Sequence, residues 1–285
     1  MNNLHRELAP ISDAAWGEIE EEATRSFKRN SAARRIVDVK GPLGLDVASV
    51  TLGHRAKIDG PAAGIVAHTR LSQPLIEFKV PFTLSREAID DVDRGAQDSD
   101  WDPVRDAAAE LARVEDYAIF EGYAAGGIPG IRAVASATPI ALPADVRDYP
   151  EAFTRATTAL RLESVDGPYS LAVSKDVYQL INETSDHGVP IRDHLQRLLV
   201  DGGEIVWAPA ITGAFLISTR GGDFEMSIGQ DVSIGYDSHD ADTVTLYFYE
   251  TFTFLTYTPE AVIPFTYSET PALTSGQNSS PPTAG

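Results

Sequence analysis

Apolar residues recur at helical spacing near the start of the chain, at Trp16, Ile19, Ala23 and Phe27. Ser12 precedes this run as an N-cap, because its hydroxyl can accept a hydrogen bond from an otherwise unpaired amide of the first turn. The pattern predicts a short amphipathic helix with an aromatic stripe. Such a stripe either packs in the core or forms a docking face for a partner.

A longer helix is predicted from Pro103, which suits the first helical position, with Asp102 as its N-cap. Apolar residues recur on one face of the segment 103–123, and many of them are alanines that permit close packing. The glycine-rich stretch AAGGIPGIRA (124–133) follows this helix and lacks the spacing of a dinucleotide-binding loop. It therefore indicates a helix end and a turn.

The segment 47–80 breaks its short apolar runs with glycines and a proline between Gly53 and Gly64, which is atypical of a compact core. It predicts a long two-stranded arm. Because an isolated hairpin is marginal in water, such an arm needs a surface to lie on. The stretch PLIEFKVPF (74–82) then alternates apolar and polar residues, which predicts a half-buried strand.

The second half of the chain mixes strands and helices. Residues 170–183 indicate a strand that leads into a helix, and residues 190–209 a helix, a glycine turn and another strand. Strands dominate 223–255. The tail after Tyr267 is rich in Pro, Ser, Thr and Gly, which predicts disorder. The predicted fold class is α+β, without the regular βαβ alternation of a doubly wound sheet.

Composition narrows the classes of function. With 285 residues, 43% apolar and 23% charged, the chain has the composition of a soluble globular protein. Its formal net charge of -19 argues against a nucleic-acid partner, since phosphate binding needs clustered Lys and Arg. The same charge is also explained by solubility alone, because acidic surfaces repel one another.

The compartment is inferred from what the sequence lacks. The absence of cysteine excludes disulfides and thiolate chemistry and suits the reducing cytosol. The stretch MNNLHRELAPISDAAW has no apolar region of a signal peptide, and no segment approaches the apolar length of a membrane span. We expect a cytoplasmic protein without a signal peptide or a membrane partner.

Candidate metal ligands concentrate in one short segment, at Asp237, His239, Asp240 and Asp242. Their spacing is similar to that of a calcium loop, but the glycine and the later bidentate glutamate of that loop are missing. Aspartate and serine also hydrogen-bond the backbone of turns, and strands are predicted on both sides, so a hairpin bend is favoured over a metal site. Phosphate-loop, HExxH and nucleophile-elbow motifs are absent, and no catalytic residue is predicted.

Seven stretches, in order along residues 1–265, are similar to those of a known family: LAPISDAAWGEIEEEATRSFK, RRIVDVKGPLG, PLIEFKVPFTL, FEGYAAGGIPGI, GPYSLAVSKDVY, RGGDFEMSIGQDVSIGY and YETFTF. On these stretches the chain resembles the type 1 encapsulin shell proteins, also described as linocin-type bacteriocin proteins. The resemblance implies an HK97 phage major capsid-like fold with a peripheral domain, an axial domain and an extended loop. It also implies a shell subunit that is not an enzyme.

The resemblance implies a division of the chain. An N-terminal helix and arm would occupy 1–45, the extended loop 46–81, the peripheral domain with its spine helix 82–134, the axial domain 135–220, a return to the peripheral domain 221–267 and a disordered tail 268–285. The loop would lie over a neighbouring subunit. The axial domain would meet its copies around a five-fold pore.

The implied function is a self-assembling icosahedral shell of about 60 subunits. It would enclose a cargo enzyme, such as a dye-decolorizing peroxidase or a ferritin-like protein, whose C-terminal peptide docks in a groove of the inner wall. The candidate groove residues are Phe27, Arg34, Ile36, Asp38, Asp231, Ile234 and Tyr236. Alternatively, the apolar members form core between helix and hairpin, and the acidic members pair with Arg34 or Arg35.

The resemblance also places the loop SDHGVP at the pore, with Asp186, His187 and Gly188 as lining residues; an imidazole there could respond to pH. Some family members hold a flavin against a tryptophan soon after the FTL strand. This chain has Arg86 and Glu87 in that stretch and no aromatic residue, so no cofactor is predicted.

Two other functions are alternatives to the shell. A stand-alone bacteriocin or hydrolase would need a nucleophile or a metal site, and those motifs are missing. A phage capsid protein would package DNA, which an acidic chain does not favour.

Overall fold

The structure is a computed structural model that describes residues 3–199 and 202–267. The helices are α1 (Asp13–Asn30), α2 (Arg86–Asp93), α3 (Asp102–Phe120), α4 (Gly130–Val134), α5 (Tyr149–Leu162), α6 (Lys175–Glu183) and α7 (Ile191–Gln196). The strands are β1 (Asp38–Lys40), β2 (Ser49–Ile58), β3 (Ala67–Pro74), β4 (Ile76–Ser85), β5 (Ile140–Leu142), β6 (Tyr169–Val173), β7 (Ser185–Asp186), β8 (Val189–Pro190), β9 (Ile205–Trp207), β10 (Ala214–Ser218), β11 (Phe224–Ile228), β12 (Ser233–His239), β13 (Thr243–Thr256) and β14 (Val262–Tyr267). A short 3-10 helix, Ala33–Arg35, follows α1.

The N-terminal helix α1 forms as its sequence pattern predicts. The Ser12 hydroxyl accepts a hydrogen bond from the Ala15 amide at 3.2 Å and so caps the helix. Ile19 and Phe27 are buried and share one apolar cluster with Leu111 of α3. The aromatic stripe of α1 therefore packs in the core.

The long strand β13 is the centre of the first sheet. It is buried over most of its length, since its sequence TVTLYFYETFTFLT is largely apolar and aromatic. It pairs along one edge with β4 and along the other with β12 and then β11, and β1 pairs in parallel with β11. α3 packs on β4 and β13, and α1 packs on α3. These elements surround the candidate site.

Strand β4 shows the alternation predicted for residues 74–82. Ile76, Phe78 and Val80 are half-buried, whereas Glu77 and Lys79 are exposed. Because β4 pairs with β13 over its whole length, it is part of the sheet and not of the arm. The extended loop expected over 46–81 therefore ends before β4.

The arm itself is the hairpin of β2 and β3, which pairs from Ser49↔Pro74 to Ile58↔Ala67. Gly53 has φ of 75° where the register of the two strands shifts, and glycine adopts this left-handed conformation at little cost. Val66, at the tip, is 70% exposed. The prediction of a two-stranded arm is confirmed.

Helix α3 begins one residue earlier than predicted. Asp102 is already helical, and Trp101 takes the capping position without a side-chain hydrogen bond. The Asp100 carboxylate instead accepts a hydrogen bond from the Asp102 amide at 3.0 Å. The helix ends at Phe120, and Gly122 follows with φ of 101°, a conformation that side-chain-bearing residues rarely adopt.

The second sheet has the order β5-β14-β10-β6-β9. Helix α5 packs on this sheet, and the rings of Phe153 and Phe265 lie 4.4 Å apart between their centroids. The strand and helix predicted over 170–183 are confirmed as β6 and α6, and those over 190–209 as α7 and β9. Phe120 of α3 contacts Phe215 of β10, so one apolar cluster connects the two sheets.

The last strand departs from the expected division. Residues 221–267 were expected to return to the first region, and β11, β12 and β13 do so. β14, however, pairs with β10 and β5 of the second sheet. β14 is separated from β10 along the chain by β11, β12 and β13, and such long-range pairing is not encoded in local periodicity. The predicted disordered tail, 268–285, lies outside the described residues.

Candidate functional site

An open groove of about 600 Å³ lies between α1 and the segment 231–234, which includes the first two residues of β12. Residues of α1 form one wall, residues 231–234 form the other, and residues near the start of the chain close one end. The lining consists of Leu4, Arg6, Glu20, Ala23, Thr24, Phe27, Lys28, Ser31, Arg34, Arg35, Asp231, Val232, Ser233, Ile234 and Phe248. A concave surface with apolar and polar groups is typical of a ligand site.

The floor of the groove is part of the hydrophobic core. Phe27 is 8% exposed, Ile234 6% and Phe248 0%, and all three belong to the cluster that includes Leu111. Phe27 and Ile234 therefore pack in the core, as the alternative interpretation predicts, and they also line the groove. Binding of a peptide by these residues stays a prediction.

The rim of the groove is polar. Thr24 and Lys28 are exposed on α1. At one end, Arg6 forms an ion pair with Glu20 at 2.6 Å, and its guanidinium lies 4.1 Å from the centre of the Trp16 ring. The ion pair is solvent-exposed, so we expect it to contribute little to stability.

Arg34 joins the groove to the buried interior. Its guanidinium forms an ion pair with Asp231 at 2.7 Å and lies 4.8 Å from the centre of the Phe27 ring. Inward, it donates hydrogen bonds to Glu115 at 2.6 to 3.0 Å and to Glu250 at 3.1 Å. Arg34 thus connects the 3-10 helix after α1 to α3, β13 and the opposite wall of the groove.

Three buried carboxyl groups, those of Glu115, Asp116 and Glu250, lie near Arg34 and the end of α1. Burial raises the pKa of Glu115 and raises that of Glu250 well above its ordinary value, and the charge of Glu115 raises the pKa of Glu250 further. Asp116 accepts hydrogen bonds from the amides of Ala32 and Ala33 at 2.8 to 3.0 Å. Burial nevertheless raises the pKa of Asp116 to about 8.

The structure brings together four of the seven predicted groove residues, namely Phe27, Arg34, Asp231 and Ile234. The other three do not line the groove. Ile36 is buried in the cluster that connects the two sheets, and Asp38 accepts a hydrogen bond from the Gly222 amide at 2.5 Å. The Tyr236 hydroxyl is hydrogen-bonded to His239 Nδ1 at 2.6 Å.

Several residues near the groove were not predicted from the sequence as part of the site. Ala23 and Thr24 lie four and three positions before Phe27, so helical spacing could have placed them on the same face. Val232 could have been inferred from its alternation with Ile234. Glu115 and Glu250 were not identified from the sequence, because they lie 81 and 216 positions from Arg34 along the chain.

The chain is similar to known proteins over most of its length. A family model described as "Encapsulating protein for peroxidase" (Linocin_M18) matches residues 1–253. The type 1 encapsulin shell protein of Rhodococcus erythropolis is 62% identical over 263 residues, which cover 92% of this chain and 99% of that protein. The chain belongs to the type 1 encapsulin shell proteins. The shell protein of Mycobacterium tuberculosis is 56% identical, with 92% and 98% of the two chains covered.

Solved structures show the fold of this encapsulin chain. A virus-like particle from Pyrococcus furiosus superposes with a TM-score of 0.58 at 16% identity and covers 87% of this chain and 98% of its own. A structure from Mycobacterium phage Bobi gives a TM-score of 0.54 at 14% identity, with 85% and 91% covered. The predicted HK97 phage capsid-like α+β fold is confirmed.

The predicted pore segment of the encapsulin chain is a tight hairpin of β7 and β8. His187 and Gly188 form its turn with φ of 47° and 81°, and two successive positive values are characteristic of a type I′ turn. The His187 side chain is 95% exposed, and its Nε2 lies 3.8 Å from a carboxylate oxygen of Asp186. Lining of a pore by Asp186, His187 and Gly188 stays a prediction.

The acidic segment before β13 is the hairpin bend that its turn chemistry predicts. Asp240 Oδ1 accepts hydrogen bonds from the amides of Asp242 and Thr243 at 2.9 and 2.7 Å and from the Thr243 hydroxyl at 3.0 Å. Within residues 3–199 and 202–267, no group of three or more His, Asp or Glu could hold a metal ion. In the same described part, no helix has the length and apolarity needed to cross a membrane.

Proposed function

We propose that this shell protein assembles with its copies into a closed icosahedral compartment of about 60 subunits in the cytoplasm, and that the compartment encloses a peroxidase. The family description supports the cargo, since it names an encapsulating protein for peroxidase. The relatives are shell proteins, which supports a structural role without catalytic activity of its own.

The observation that carries the docking proposal is the groove between α1 and the segment 231–234. Its apolar floor of Phe27, Ile234 and Phe248 would bury alternate side chains of an extended peptide. The polar rim, with Thr24 on α1, suits the peptide's remaining side chains. The cargo's C-terminal peptide is the occupant that we assign to this groove.

The first test is a substitution that fills the groove without entering the core. Thr24 is exposed and lines the groove, so the indole of Thr24→Trp should block the peptide while the shell still assembles. We expect co-expressed fluorescent protein with a peroxidase C-terminal segment to be lost from the purified shells. Cargo per shell is measured from the ratio of fluorescence to shell protein.

Glu21→Trp is the matched control, because Glu21 is exposed on α1 and does not line the groove. Its shells should carry cargo like the unsubstituted shells. Equal loading of the Thr24→Trp and Glu21→Trp shells would show that the peptide binds elsewhere.

We also infer that the arm formed by β2 and β3 lies over a neighbouring subunit. In the described chain the two strands pair only with each other, and Ile58, Ile65 and Val66 near the tip are 48%, 53% and 70% exposed. A second copy of the chain would cover these apolar side chains.

A further inference from the structure

The region behind the groove holds more carboxyl groups than cations. Arg34 forms ion pairs with Glu115, Glu250 and Asp231, and Asp116 lies next to Glu115 on α3. Glu115, Asp116 and Glu250 are fully buried. Because an unpaired buried carboxylate costs several kcal/mol or more, one guanidinium does not compensate all of them, and the cluster must hold protons.

The hydrogen bonds indicate where one proton lies. Glu115 accepts several hydrogen bonds from Arg34, at 2.6 to 3.0 Å, and is therefore well satisfied as a carboxylate. Glu250 accepts one, at 3.1 Å, and its Oε1 is buried with no hydrogen-bond partner. Both glutamates contact the same guanidinium nitrogen of Arg34, at 2.6 and 3.1 Å, so their carboxyl groups are close neighbours. A proton on Glu250 that is donated to Glu115 satisfies both groups.

This proton determines how Arg34 is held. With one carboxylate and one neutral carboxyl behind it, the guanidinium is free to extend to Asp231 in the wall of the groove and to lie against the ring of Phe27. With two carboxylates behind it, the inward attraction increases and the contact with Asp231 weakens. The geometry of two lining groups of the groove therefore depends on the glutamate pair.

We propose that Glu115 and Glu250 share one proton and act together as positioning residues for the groove, which binds its peptide tightly only while that proton is held. The inference rests on the proposed function of the groove as the docking site of the cargo peptide. It assigns a role to two buried residues that lie behind the groove and do not line it.

The direction of the pH dependence follows from the groups that face the pair. These are Arg34 after α1, Asp116 on α3 and Asp231 before β12. Burial raises the pKa of both glutamates, so loss of the shared proton adds negative charge behind the groove as the pH rises. Peptide binding then weakens, by up to about tenfold per pH unit for one linked proton, and recovers on acidification.

The test uses intact shells that enclose a fluorescent protein carrying the C-terminal segment of a dye-decolorizing peroxidase. Its emission must be constant over the pH range that is scanned. Time-resolved anisotropy separates cargo bound to the wall, which rotates with the shell, from released cargo, which tumbles inside it. We expect the bound fraction to fall reversibly on the alkaline side while size exclusion shows intact shells.

Substitutions at Glu250 identify the group responsible. Glu250→Ala should remove the alkaline transition together with the carboxyl group, and it should lower the bound fraction at every pH because the 3.1 Å hydrogen bond that positions the Arg34 guanidinium is lost and a cavity takes its place. Glu250→Gln, which imitates the neutral acid, should restore binding and remove the alkaline transition. Asp116→Asn is the control and should keep the alkaline transition. If Asp116→Asn removes the transition and Glu250→Gln does not, the glutamate pair is not its origin and the inference is wrong.

The remaining outcomes separate this inference from the proposed function. A bound fraction that stays high from neutral to alkaline pH in the unsubstituted shell would overturn the shared proton and leave the docking groove in place. A bound fraction that is low at every pH would overturn the docking groove and the inference together.

Discussion

Single residues in this protein serve the core and the candidate site at once. Phe27 packs against α3 and also forms the floor of the groove, and Arg34 pairs with buried Glu115 and with Asp231 in the groove wall. A substitution at such a position changes stability and binding together. Tests of binding therefore belong at exposed lining residues such as Thr24.

The stability of the shell should depend on pH through Asp116. Burial raises the pKa of Asp116 to about 8, whereas its ordinary pKa, which applies in the unfolded chain, is 3.8. Between these two pH values the folded chain holds a proton that the unfolded chain has lost. The free energy of unfolding therefore falls as the pH rises from about 4 to about 8 and changes no further above the folded-state pKa. Asp116→Asn removes this contribution, so its thermal midpoint should decline less over that window.

The measurement is thermal unfolding of assembled shells at several pH values, followed by intrinsic fluorescence. Asn keeps an oxygen that can accept the Ala32 and Ala33 amides, so the variant should still fold. Equal slopes of midpoint against pH for the variant and the unsubstituted shell would contradict the assignment.

Phe27→Ala should reduce stability and not only cargo loading. Removing a buried phenylalanine ring leaves a cavity and costs about 3 to 5 kcal/mol. Denaturant titration should show that Phe27→Ala shells unfold at a lower denaturant concentration than unsubstituted shells. The midpoint of Phe27→Leu should lie between those of Phe27→Ala and the unsubstituted protein. A variant with unchanged stability and no cargo would instead mean that Phe27 is purely a binding residue.

At the scale of elements, the two-stranded arm and the sheet around β13 have opposite characters. β13 is buried and pairs on both edges, whereas β2 and β3 pair with each other and expose apolar residues at their tip. An exposed apolar hairpin is stable only when another surface covers it. This difference supports the proposal that the arm lies over a neighbouring subunit, whereas β13 is part of the core of one chain.

Replacing residues 50–73 by a short Gly-Ser turn should abolish the shells. Ser49 and Pro74 are paired, so such a turn closes the hairpin at its base and leaves β4 in place. We expect size exclusion and negative-stain electron microscopy to show small species in place of hollow spheres. Ala63→Ser at the exposed tip is the control and should assemble; hollow spheres from the shortened chain would contradict the role of the arm.

At the scale of the whole molecule, the net charge of -19 opposes assembly. Copies of an acidic subunit repel one another, so apolar burial and strand pairing must supply the free energy of the contacts. We expect burial of the apolar side chains at the tip of the arm to contribute to this free energy.

Shell stability should rise with ionic strength. Dissolved salt shortens the screening distance to about 8 Å near physiological concentration, which weakens repulsion between subunits. Light scattering of shells disassembled in denaturant and then diluted should show faster and more complete reassembly in added sodium chloride than in sucrose. A salt-independent yield would mean that the interfaces already neutralise the charge.

Much of the fold followed from local pattern. The N-cap at Ser12, the stripe of α1, the alternation along β4 and the turn at Asp240 are short-range features, and each forms as predicted. Helical and strand periodicities and turn chemistry involve neighbours within a few positions, so the sequence alone carries them. Resemblance to a family supplied the capsid-like architecture that periodicity does not contain.

The tertiary structure alone decided the features that join distant segments. It paired β14 with β10 of the second sheet, removed Ile36, Asp38 and Tyr236 from the groove, and placed Arg34 against Glu115 and Glu250, which lie 81 and 216 positions away. Burial sets the protonation of these glutamates, and burial exists only once the chain has folded. The sequence thus determined which elements form, and the tertiary structure decided which charges they enclose.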